Sequence, residues 1–174
     1  MPITIDTPEP EAINSARDFW DKIAKPDYED FRDNTADLRT AFHAAVSLFH
    51  VSDWVWKDNE NKRHAVFDVN DEYKLRDYII DKECPDFELI RDVANSSKHF
   101  RLSPPSAKRP PKKVPSATKI TSQTTGFGVG PYGEGTFGGT LQVIVEVSGD
   151  MRPLSAIAKN VYEMWDRLFE AKGW

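Results

Sequence analysis

The 174 residues fit one domain with room for a real core, and a single unit over 1–174 is expected. With 28 acidic against 23 basic residues the net charge is -5, which excludes a chain that is basic throughout; any polyanion binding has to be local. Cys84 is the one cysteine, so an internal disulfide framework is excluded.

The N-terminus, MPITIDTPEPEAINSARDFW, has neither a basic n-region nor an apolar h-region. No run approaches the roughly 18 apolar residues of a membrane span. A soluble cytoplasmic protein without membrane association is expected.

Thr7 and Pro8 are helix start signals, and Ile13, Ala16, Phe19, Trp20 and Ile23 recur at helical spacing, so the first helix is expected over about 10–24 and should end at Pro26. A longer helix follows, from Asp27 or Thr35 to Trp56. It carries two adjacent apolar stripes, one through Leu38, Phe42, Ala45 and Phe49 and one through Ala41, Ala44, Leu48 and Val51, as a central helix packed on two sides would. DVNDEYKLRDYIIDK reads as a third helix with Tyr73, Leu75, Tyr78, Ile79 and Ile80 inward. Cys84-Pro85 breaks it, and a fourth runs to about Phe100.

Residues 103–119 contain five prolines and read as a flexible Pro/Lys-rich basic loop. KITSQTT and TLQVIVEVS then suggest a β-hairpin over 118–148 across a glycine-rich connection. That connection lacks the GK[ST] of a phosphate loop. A last amphipathic helix covers about 153–171. The expected fold is mainly α, an antiparallel bundle of four to five helices with a β-hairpin inserted before the C-terminal helix.

Two polar rows carry chemistry. On the fourth helix Arg91, Asn95 and His99 recur four residues apart, with Lys98 beside them. A neutral-range imidazole moves protons and a guanidinium stabilises an anionic oxygen, which together suit phosphodiester cleavage without metal. The same residues also suit a polar seam that knits helices together. On the second helix Thr40, His43, Ser47, His50 and Trp54 form a similar row with the same two readings.

His43 and His50 stand two turns apart, roughly 10.5 Å, too far to share an ion. Asp53, three residues after His50, makes one weak pair, so no metal and no cofactor are expected. Ser96 and Ser97 lack the strained elbow of an activated nucleophile.

Between residues 98 and 119, Lys98, Arg101, Lys108, Arg109, Lys112, Lys113 and Lys119 occur with no acid among them. Such a basic segment suits RNA through phosphate contacts, or an acidic partner protein, or only solvation.

AFHAAVSLFHVSDWVW, then CPDFELIRDVANSSKHFRL, a glycine-rich hairpin and VYEMWDRLF resemble a family of uncharacterised bacterial proteins that share an AN-x-x-KHF segment after a Cys-Pro helix start. More distantly the layout resembles the HEPN superfamily, helical bundles that often dimerise and include metal-independent ribonucleases of defence and toxin–antitoxin systems. Their motif is an Arg, a polar residue and a His after four to six intervening residues. Arg91 and Asp92 match its start, whereas His99 follows after seven. The resemblance implies His99 as general acid/base, Asn95 orienting it and Arg91 and Lys98 on phosphate. The alternative is a non-catalytic protein-interaction module. A homodimer is a further expectation, from the wide apolar faces and from Trp20, Trp165 and Trp174.

Overall fold

The computed structural model describes residues 12–58, 69–99, 102, 112–125 and 139–173. Among the described residues five helices surround one apolar core, and a small antiparallel sheet precedes the last of them.

The first helix, α1, runs on through the expected break. Ala16–Phe19, Trp20–Ala24 and Lys25–Asp33 are consecutive helical stretches, and the middle one is a π-helical turn. Proline lacks an N–H, and its ring crowds the carbonyl four residues back. Here the Lys25 N–H reaches the Trp20 carbonyl, five residues back, and this wider turn admits Pro26 without a stop. Ser15 caps the start, its hydroxyl accepting from the Asp18 N–H at 3.0 Å.

The turn 34–37 leads into the central helix α2, Leu38–Asp58. α1 and α2 run antiparallel, because the Asp58 carboxylate at the end of α2 accepts the Ala16 N–H at the start of α1, 2.8 Å away. Phe19 and Trp54 stack at that same end with ring centroids 5.2 Å apart.

Helix α3, Glu72–Tyr78, ends in a second π-helical stretch, Ile79–Glu83. Cys84 then turns extended, as the residue before a proline prefers. Leu75 and Ile79 face the core, but Tyr73, expected inward, is 75% exposed. Its ring lies under Arg76 instead, 5.6 Å from the guanidinium carbon.

Helix α4, Phe87–Ser96, stops short of the expected Phe100, and Ser97 and Lys98 form a turn closed by the Ala94 and Asn95 carbonyls. His99 therefore sits just past the helix, its own N–H still reaching the Asn95 carbonyl at 3.2 Å.

Of the segment expected to be a flexible loop, 103–111 lie outside the described residues, while 112–119 pack against the body and Val114 is fully buried. Strands β1, Ile120–Thr125, and β2, Thr140–Val147, pair antiparallel as expected, with Ile120 opposite Val145 and Thr125 opposite Thr140. A third strand, β3, Asp150–Pro153, had no expectation behind it. Ser148 and Gly149 both hold positive φ, 55° and 94°, the geometry of a two-residue hairpin turn, and this folds β3 back onto β2.

Helix α5, Leu154–Lys172, closes the bundle. Its Trp165 is fully buried and donates its indole N–H to the Leu48 carbonyl in the middle of α2 at 3.0 Å. Trp20, also fully buried, stacks on Phe169 of α5 at 5.4 Å. Both tryptophans are core within one chain and offer no dimer surface; Trp174 lies outside the described residues. No helix among the described residues is long and apolar enough to cross a membrane.

Candidate functional site

On α4 the acids Glu88 and Asp92, with Arg91 between them, form a polar seam that fastens residues 112–114. Asp92 is completely buried, and one of its carboxylate oxygens accepts the main-chain N–H of Lys113 at 2.9 Å and of Val114 at 3.3 Å. Arg91 lies between two acids, donating to Glu88 at 3.2 Å and to Asp92 at 3.1 Å. Lys113 closes on Glu88 at 2.8 Å and Lys112 lies 3.7 Å from Asp92. Burial pushes the Glu88 carboxyl up, but the bonds from Lys113 and Arg91 outweigh it and hold the acid below its ordinary range. The guanidinium expected on phosphate is thus already neutralised from both sides.

Asn95 is half-buried, and Lys98 and His99 are exposed beyond the helix end. Neither the Lys98 nor the His99 side chain has a hydrogen bond or ion pair among the described residues. Of the expected basic contacts, Lys112 and Lys113 are bound to α4 and Lys119 pairs with Glu146 at 2.6 Å. Arg101, Lys108 and Arg109 lie outside the described residues. Ser97, at the end of α4, lines a cavity.

That cavity is a groove of about 470 Å³ between α1 and α2. Phe19, Ile23 and Asp27, one turn apart along α1, form one wall. The second polar row of the sequence lies on the other, where His43, Ser47 and His50 line the groove beside Phe42, Val46 and Trp54. Thr40 of that row is buried against the turn and donates its hydroxyl to the Asp37 carbonyl at 3.1 Å. Phe19 stacked on Trp54 lies at one end of the groove, and the smaller Val46 and Ser47 line its middle.

His50 is held by a carboxylate. Its Nδ1 stands 2.7 Å from Asp53 Oδ2, while Arg76 of α3 donates to the other oxygen at 2.5 Å and also to Glu72. Arg76 in turn lies over the Phe49 ring, 4.9 Å from its centroid. Burial raises the Asp53 carboxyl, yet the bonds from His50 and Arg76 outweigh it and bring the acid to about 2. An ionised Asp53 only accepts, so Nδ1 carries the proton of the neutral ring and Nε2 keeps its lone pair.

Neither serine in the groove is an activated nucleophile. The Ser47 hydroxyl donates to the His43 carbonyl at 2.9 Å, and Ser97 donates to Ala94 at 2.7 Å. What remains is an apolar trough with a proton-accepting nitrogen and a carboxylate, an arrangement suited to holding a molecule rather than to covalent chemistry. Among the described residues no three His, Cys, Asp or Glu side chains converge as a metal site.

Sequence reasoning found His43, Ser47, His50 and the His50–Asp53 spacing, but not Arg76 or Asp27. The Glu72/Arg76 pair four residues apart was the one available signal for Arg76. Asp27 had none, because its role depends on α1 continuing past Pro26. No family model matches this chain, and neither a curated protein nor a solved structure is found that matches it.

Proposed function

We propose that this chain is a non-catalytic binding module, in which the α4 seam is structural and the α1–α2 groove receives the bound molecule. The observation that carries this reading is the groove itself. Apolar walls of Phe19, Ile23, Phe42, Val46 and Trp54 converge on one oriented imidazole within a volume typical of small-molecule sites. The test is ligand-observed NMR with a set of mono- and bicyclic aromatic fragments on wild type and on Val46→Arg, which fills the trough from α2. Fragments that bind wild type and lose binding to the variant support the reading; equal binding to both, or to neither, removes it.

A second reading, an RNA-binding or RNA-cleaving protein of the HEPN type in a defence or toxin–antitoxin setting, draws on Lys98 and His99, exposed side by side with uncommitted side chains. Against it stands Arg91, whose charge Glu88 and Asp92 already absorb. Incubating mixed cellular RNA with wild type and His99→Ala in excess chelator separates the readings. Cleavage by wild type that the variant lacks supports a metal-independent nuclease, and intact RNA with both proteins removes it.

A further inference from the structure

We infer that the occupant of the α1–α2 groove is a small organic cation, an ammonium carried on an apolar or aromatic body. This rests on the groove being a binding site, as proposed above, and adds the chemistry of what it binds.

The first argument is charge. Among the described residues no lysine or arginine lines the groove, whereas two carboxylates, Asp27 and Asp53, do. Asp53 is occupied by His50 and Arg76, so its charge is answered within the protein. Asp27 has no hydrogen bond or ion pair among the described residues, whereas Asp21 is paired with Arg17 and Lys25 and Asp18 with Lys22; Glu29 and Asp30 are also unpaired there, but they are exposed and do not line the groove. A half-buried carboxylate left without a cation, at the rim of an apolar trough, complements an incoming positive charge.

The second argument is the wall chemistry. Phe19, Phe42 and Trp54 present aromatic rings to the same space. Phe42, one residue from His43, is the ring at the Asp27 end and meets the ammonium, an attraction that grows when the cation leaves water, while Phe19 and Trp54 receive the apolar body. An anionic guest meets the reverse: aromatic faces and Asp27 repel it, and among the described residues that line the groove no guanidinium or ammonium receives it.

The third argument is the antiparallel register, which orders these groups along the trough. Asp58 on Ala16 and Trp54 on Phe19 fix one end. At about 1.5 Å per residue, Asp27 lies roughly 12 Å along α1 from Phe19, and His43 lies roughly 16 Å along α2 from Trp54. The carboxylate and His43 therefore share the end near the 34–37 turn, the ring stack forms the other end, and the oriented His50 lies between them. A guest with its ammonium toward Asp27 and its apolar body toward Trp54 matches this polarity, and the Nε2 lone pair of His50 accepts a donor from its middle.

Three isosteric probes test the assignment on the full chain: 2-phenylethylamine, 2-phenylethanol and 3-phenylpropanoate, titrated while the Trp54 indole N–H is followed by NMR. The amine is expected to bind at least about tenfold more tightly than the alcohol, with the carboxylate weakest. Asp27→Asn, an exchange at a partly exposed position, is expected to cost the amine about tenfold and to leave the alcohol unchanged. Equal affinities for amine and alcohol, or a preference for the carboxylate, overturn the cation assignment while leaving the groove a binding site. Failure of all three probes to shift the Trp54 signal overturns both. The amine-to-alcohol ratio in wild type decides the matter even where the variant does not fold.

Discussion

Asp92 and Lys113, twenty-one residues apart in sequence, are joined by a carboxylate that accepts a main-chain N–H at 2.9 Å inside the protein. The same oxygen also takes the Val114 N–H, so one buried side chain holds two successive main-chain donors of the 112–114 segment on α4. Removing it strands two donors and leaves Arg91 and Lys112 short of their shared acid. Asp92→Ala is expected to destabilise the fold by about 3 kcal/mol, since breaking a buried charged network leaves uncompensated partners. Urea unfolding followed by circular dichroism measures this directly, and a loss under about 1 kcal/mol would show that the seam is dispensable.

His99 behaves oppositely. It is exposed, lies beyond the last turn of α4 and contributes only its main-chain N–H to structure. His99→Ala is therefore expected to shift stability by no more than about 0.5 kcal/mol. The same urea titration checks it. A large loss would mean that the His99 imidazole is structural, contrary to its geometry.

These two residues show what the sequence could and could not convey. Helical periodicity located α2, α4 and α5 because an apolar face repeats with the pitch of the helix, whatever it packs against. In the sequence, Asp92 stands out as the polar residue after Arg91 in the HEPN resemblance. Its true partner is the backbone of a distant segment, and backbone donors leave no mark on composition. Pro26 misled for a different reason: proline breaks a regular α-helix, but a π-helical turn relieves the clash, and local sequence does not say which will happen. The groove was legible by half. The His43, Ser47 and His50 row was visible on α2, but Asp27 and Arg76 join it only through helix pairing, with Arg76 lying 23 residues beyond Asp53.

Trp165 fixes the last helix to the central one by a bond that packing alone does not supply. Its indole N–H meets the Leu48 carbonyl at 3.0 Å, and the edge of Phe87 meets its ring with centroids 5.9 Å apart. Trp165→Phe keeps much of the apolar contact but removes the donor and leaves a small void. The expected loss is about 2 to 3 kcal/mol, from one stranded bond and incomplete packing. Thermal unfolding is the check, and a variant as stable as wild type would show that the indole bond to the Leu48 carbonyl adds little to packing.

Asp53 sets a pH dependence whose sign follows from its environment. Its carboxyl titrates near 3.8 in an unfolded chain and at about 2 in the folded one, where burial is outweighed by the bonds from His50 and Arg76. A lowered folded value means that the native state holds the charged form more tightly than the unfolded state does. The resulting stabilisation is fully present above the unfolded value and disappears as the pH falls through the folded value. It amounts to about 2 kcal/mol at most, because one pKa unit corresponds to roughly 1.4 kcal/mol and the side chain keeps some contact with water. Asp53→Asn lacks this titration. Above about pH 5 it is expected to be less stable than wild type by roughly that amount, and the gap should narrow steadily between about pH 4 and pH 2. Denaturant titrations of both proteins across this range measure the difference while cancelling the acids they share. A gap that stays constant down to pH of about 2 would show that Asp53 does not carry the acid sensitivity assigned to it.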